Sequence, residues 1–189
     1  MSTQSTTKPN IGFDSLRETT KEKTIESKQL RDQKRQNEYR KNSRSQNKVT
    51  QDVAHKLGLE RVSAIIGDEG GIDPEDKENK EVLKQFENDD DNLRMKTRHS
   101  NRSTDKTYDN KVEKKIDNGE TLTKKEEAKE RHIVQNIQAH QDKLTPEIYN
   151  KFEDHFKKEK TQSGHTTWDA RKDTKKMTEA RHGGKKKVK

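Results

Sequence analysis

The sequence predicts an all-α, extended protein of isolated or paired helices joined by long disordered segments. Three observations carry that expectation. Charged residues fill 41% of the 189 positions and apolar residues only 22%. Leu, Ile, Val and Phe together number 28, about 15% of the chain, under the roughly 20% below which a highly charged chain stays disordered. Where apolar residues do cluster they recur at helical spacing, as in Ile133, Val134 and Ile137, and in Ile148, Phe152 and Phe156. Ordering each residue costs about 1–2 kcal/mol of backbone entropy, which apolar burial must offset. Function is therefore expected from charge and partners rather than from an enclosed catalytic core.

Residues 1–13 have turn-forming composition and are expected to be a disordered leader. Residues 14–66 hold two predicted helices. Asp14 or Ser15 supplies a cap for a long basic helix reaching about Asn47, uninterrupted by Pro or Gly. Its apolar positions, Phe13, Leu16, Ile25, Leu30 and Tyr39, are too sparse for a heptad seam. Val49, Val53 and Leu57 then recur at i, i+4, i+8, and Leu59, Val62, Ile65 and Ile66 follow, predicting a short amphipathic helix broken near Gly58 and ended by Gly67. A helix this short needs a surface to pack on, either the long helix or a second copy of the chain. Val53, Leu57, Val62, Ile65 and Ile66 are thus the candidate oligomerisation contact.

Residues 67–92 form an acidic linker and a helix opened by Asp73-Pro74-Glu75, carrying Val82, Leu83 and Phe86. Residues 93–120 are expected to be basic and disordered, and 121–159 to form a helical hairpin. Thr123 and Glu126 have capping-box spacing, and Thr145-Pro146-Glu147 opens the second arm. Residues 160–189 are expected to be a disordered basic tail containing Trp168, the one tryptophan.

The absence of Cys excludes disulfides and thiolate chemistry. The longest apolar run, Ala64-Ile65-Ile66, is far short of a membrane span, and no membrane partner is expected. None of the seven His residues has the helical spacing with a carboxylate base that a zinc hydrolase uses, so neither metal nor cofactor is expected, and no catalytic residues are assigned. A net charge of +8 points to a polyanion.

That charge lies in blocks: +6 over residues 17–48, −8 over 67–92, +4 over 93–131 and +8 over 157–189. Arg31, Lys34, Arg35, Arg40, Lys41 and Arg44 follow one another along the first helix, able to track phosphates and release counterions. Arg94, Lys96, Arg98 and Arg102 form a second basic patch. Lys outnumbers Arg 31 to 12, which favours backbone contact over base reading. Trp168 is a candidate for stacking on a base. Lys185, Lys186, Lys187 and Lys189 form a cluster of nuclear-localisation type.

In order, the long basic helix, Leu57-Gly-Leu-Glu-Arg-Val-Ser-Ala-Ile-Ile-Gly67, the acidic Gly-rich stretch, and Ser103-Thr-Asp-Lys106 through Gly119-Glu-Thr-Leu-Thr-Lys-Lys-Glu-Glu127 resemble the delta antigen family of hepatitis delta virus. The resemblance spans residues 14–135. It implies a viral protein that assembles through an antiparallel coiled coil, binds RNA through basic segments in a nuclear ribonucleoprotein and supports RNA replication. It places Leu57, Val62, Ile65 and Ile66 at the assembly contact, and Arg94, Lys96, Arg98, Arg102, Lys129 and Arg131 in the RNA-binding middle. Leu30-Arg-Asp-Gln-Lys-Arg35 with Lys41 and Arg44 is similar to the importin-beta-binding segment of importin alpha, which implies an importin partner. Arg98 to Lys106 and Gly164 to Trp168 resemble ribosome-clamping, messenger-RNA-binding proteins of the hyaluronan-binding type. The combined expectation is a basic, self-associating RNA-binding protein acting in the nucleus. The alternative is a non-enzymatic helical adaptor docking proteins on its acidic block and its hairpin.

Overall fold

Four of the described helix starts are set by side chains that accept the N–H groups a helix leaves unpaired. The computed structural model describes residues 25–44, 50–68 and 70–169. Its helices are α1 (Ser27–Leu30), α2 (Gln33–Asn42), α3 (Leu59–Gly67), α4 (Lys77–Glu87), α5 (Asp105–Asp117), α6 (Lys124–Ala139) and α7 (Pro146–Lys157). Two strands, β1 (Gln51–His55) and β2 (Leu93–Thr97), complete it, with a π-helical turn at Ser100–Thr104 running into α5.

The hairpin of α6 and α7 forms at the predicted caps. Thr123 Oγ1 accepts from Glu126 N–H, and the Glu126 carboxylate accepts from Thr123 N–H at 2.8 Å. Thr145 caps α7 by accepting from Ile148 N–H, with Pro146 at the first helical position. Helix α6 stops at Ala139, and a turn of 3₁₀ helix, Gln141–Lys143, fills the corner. The start of α4 lies one turn later than predicted. Asp76, not Asp73, accepts from Asn79 N–H, while Asp73 closes a turn by accepting from Glu75 N–H at 2.9 Å.

The long basic helix is corrected where it is described, because Arg31 and Asp32 are extended and split α1 from α2. Asp32 prefers capping to a helix interior and accepts from Arg35 N–H at 3.0 Å. Asn88 holds the break by donating to Leu30 O at 2.8 Å and accepting from Asp32 N–H at 3.2 Å. The leader at residues 1–13 and the Lys185, Lys186, Lys187 and Lys189 cluster lie outside the described residues.

The chain is mostly helical, as expected, but the described residues also hold a two-stranded sheet. β1 and β2 pair antiparallel, with Val53 opposite Met95 and Asp52 opposite Lys96, an unlike-charge pair of the kind that stabilises a ladder. The spacing of Val49, Val53 and Leu57 mimicked a helix, yet Val53 lies in β1 and the helix begins only at Leu59, while Val49 lies outside the described residues. The basic stretch expected to be disordered holds β2 and α5.

The helices are not isolated. A single cluster of buried side chains takes in 17 of the 28 Leu, Ile, Val and Phe residues, together with Trp168. Helix α3 packs on α1 and α7, α1 on α4, and α6 on α7. Phe152, Phe156, Ile148 and Ile137 are fully buried, each such side chain worth about 1.5–3 kcal/mol. Composition averaged over the whole chain hid a core concentrated in a few short stripes. Trp168, expected in a loose tail, is 4% exposed and meets Tyr149 edge-on at 5.3 Å.

Candidate nucleic-acid interface

Helix α2 presents Gln33, Gln36 and Arg40, spaced three and four apart on one helical face, to a cleft of about 1080 Å³. Arg31 lies just before the helix, and β1 with the residue after it adds His55 and Lys56. From α5 come Asp105, Asp109 and Glu113, and Arg61 of α3 joins them. The lining is polar, with Val53, Leu59 and Ala64 its few apolar members and no Phe, Tyr or Trp.

Most candidate nucleic-acid contacts are neutralised within the chain. Arg94 and Lys96 both bind the Asp105 carboxylate, with Lys129 3.9 Å away. Arg98 and Arg102 lie 3.5 and 3.3 Å from Asp52. Arg131 pairs with Glu127, and Arg35 with Glu38 and Asp90 at 3.1 and 2.9 Å. Arg31, Lys34, Arg40 and Arg44 have no carboxylate partner among the described residues. Lys41 is exposed and engaged. Among the candidate contacts, those left without a carboxylate all lie on or beside the α1–α2 segment.

Several buried polar atoms along this cleft also lack partners. Seven side-chain nitrogens or oxygens are buried without a hydrogen bond among the described residues, and four belong to cleft-lining residues: Gln36 Nε2, Arg40 Nε, His55 Nε2 and Arg94 Nε. Each such group costs roughly 1–3 kcal/mol while it stays unsatisfied. Burial, then the nearby Arg31 charge, pushes the His55 imidazole down to about 4, so it is neutral at pH 7.

Behind the cleft, Arg61 is surrounded by three carboxylates. Its Nε donates to Glu113 at 2.5 Å, Nη1 to Glu130 at 2.7 Å and Nη2 to Glu159 at 3.1 Å, and its guanidinium lies over the Phe156 ring. Tyr108 donates to Glu130 at 2.7 Å, and Thr167 to Glu159. His155 Nε2 lies 3.2 Å from Glu113. Burial and the Glu130 charge push the Glu159 carboxyl well above its usual range. Against the cost of burial, His155 and Arg61 hold Glu113 down to about 2. Burial raises Asp109 to about 6 despite Arg61 and Lys129 nearby.

The expected oligomerisation residues lie inside one chain. Leu57, Val62, Ile65 and Ile66 are in the core cluster and Val53 is buried in β1. A three-donor group, Asp89, Asp91 and His140, has its ligand atoms within 4.8 Å of one another. Within the group His140 Nε2 lies 3.5 Å from Asp89, and Lys143 Nζ also approaches Asp89 at 3.6 Å. Among the described residues no helix is long and apolar enough to cross a membrane.

No family model, curated protein or solved structure matches this chain.

Gln36, His55, Asp109 and the Arg61 cluster were not singled out in the sequence. For the cluster there was a signal. Arg61 interrupts the most apolar stretch of the chain, and Glu130 precedes Ile133, Val134 and Ile137 by three, four and seven residues, on their buried stripe. For Gln36 and His55 there was none, since pairing α2 with β1 is what brings them together.

Proposed function

We propose that this chain is a non-enzymatic RNA-binding protein that grips the phosphate backbone with the α1–α2 segment. The observation that carries this reading is the set of unpaired cations there, Arg31, Lys34, Arg40 and Arg44, in a chain that neutralises most of its other candidate contacts internally. Such contacts bind by counterion release and carry little sequence information. Copies seated side by side on one strand raise effective affinity. The nucleus is the proposed place of action, with the Lys185 to Lys189 cluster as the import signal and an importin as its reader.

Titrating fluorescent single-stranded RNA at several salt concentrations tests the proposal. Affinity is expected to fall steeply with ionic strength, and Arg31→Glu with Arg40→Glu to weaken binding at least tenfold while lowering the salt slope by about 2. Arg131→Glu, at an internally paired position, should change affinity less than threefold. Salt-independent binding, or equal losses from both sets of variants, would refute the assignment to α2.

A further inference from the structure

The cleft offers more than positive charge. Along α1–α2 and β1 it has cations and unpartnered donors, among them Gln36, which is only 7% exposed and whose Nε2 lacks a partner. From α5 it has a carboxylate, Asp109, that makes no hydrogen bond or close ion pair, whereas Asp105 and Glu113 are engaged by Arg94 and Arg61. The chain makes room for this carboxylate: a Cβ at position 58 would come within 2.8 Å of Asp109 Oδ2, and Gly58 has none. A ligand filling such a cleft needs anionic oxygens at one place and hydrogen-bond donors at another.

A volume of about 1080 Å³ is at the upper end of the roughly 300–1,000 Å³ typical of small-molecule sites, more than a lone phosphate requires. The lining holds no Phe, Tyr or Trp on which to stack a base. What remains is the polar part of a nucleotide.

We propose that the cleft takes the ribose and phosphate of one nucleotide of a bound RNA, with the phosphate on Arg31, Arg40 and Gln36 and a ribose hydroxyl donating to Asp109. This deepens the RNA-binding reading and rests on it. Its consequence is discrimination of RNA from DNA without base reading, because the 2′-hydroxyl is the donor that DNA lacks. A hydrogen bond to a charged carboxylate, lost with that hydroxyl, is expected to separate the two polymers by about tenfold.

The test compares three single strands of one sequence, RNA, DNA and 2′-O-methyl RNA, on the full-length protein. The methylated strand keeps the oxygen and the phosphates but cannot donate. RNA is expected to bind about tenfold more tightly than either of the others. Asp109→Ala is expected to remove that preference, bringing RNA and DNA affinities within twofold of each other, and thermal melting of the variant checks that it folds. Equal binding of all three strands by the wild-type protein, with the Arg31 and Arg40 variants still impaired, would overturn the ribose assignment and leave the phosphate grip standing. No binding of any strand would overturn both. A preference for RNA that survives in folded Asp109→Ala would overturn the role of Asp109.

Nuclear magnetic resonance gives a second readout on the unaltered protein. Saturation with RNA is expected to raise the titration midpoint of one imidazole, assigned by its loss in His55→Gln, because a bound phosphate favours the imidazolium. An unmoved midpoint would place the phosphate elsewhere.

Discussion

Arg61 Nη1 and Glu130 Oε2 lie 2.7 Å apart with side chains 1% and 0% exposed. An ion pair so far from water adds little net stability over an apolar pair, but removing one partner is costly because the other stays charged and buried.

Arg61→Met should therefore destabilise the protein by about 3–5 kcal/mol, seen as a lower midpoint in urea unfolding. Glu159→Gln should cost less than Arg61→Met, since burial and Glu130 already disfavour the charge of that carboxyl. Equal losses from the two would show that the three carboxylates are not distinguished in the way described.

Acid should unfold the protein through two identifiable groups. Glu113 is held at about 2 and His55 at about 4. Both folded values lie below the unfolded ones, so each contributes stability at neutral pH. The His55 part is lost as pH falls from about 6.5 to 4, and the Glu113 part as it falls from about 4.5 to 2. Each is worth roughly 3 kcal/mol by linkage. His55→Gln should flatten the stability profile between pH 6.5 and 4, and Glu113→Gln should flatten it only below about 4.5.

Asn88 links stability to binding. Replacing it with Ala strands Leu30 O and Asp32 N–H, which it joins across the break between α1 and α2. A loss of about 2 kcal/mol is expected. RNA affinity should fall as well, because Arg31 lies in that break and Arg40 on the helix it positions. Chemical denaturation and RNA titration on the same variant check both.

Trp168 should report folding. Its packing on Tyr149 and the hydrogen bond from Gln138 Nε2 to its carbonyl at 3.1 Å predict blue-shifted emission that moves red in one step on unfolding. Emission already red in the native protein would contradict the docking of residues 160–169.

What could be read from the sequence was local. Thr123, Glu126, Thr145 and Pro146 announce the α6–α7 hairpin because capping depends on residues three apart. The sheet depends on pairing Val53 with Met95, across 42 positions, which no short window reveals. The core was missed for a related reason. A low apolar total can still close an interior when Arg61, Glu130 and Glu159 enter it as a mutually satisfied group. The importance of α2 was legible in its basic composition, but not which cations stay unpaired, since Asp52, Asp105 and Glu127 make that selection from elsewhere in the chain.

The partners of Arg61 lie 52, 69 and 98 residues further along the chain. During synthesis the guanidinium leaves the ribosome long before Glu159 does, and until then it has no complete set of counter-charges to accompany it out of water. The interior can close only once residue 159 has been made, so fragments stopping short of Glu159 should melt without cooperativity, and folding waits on the short segment that follows α7.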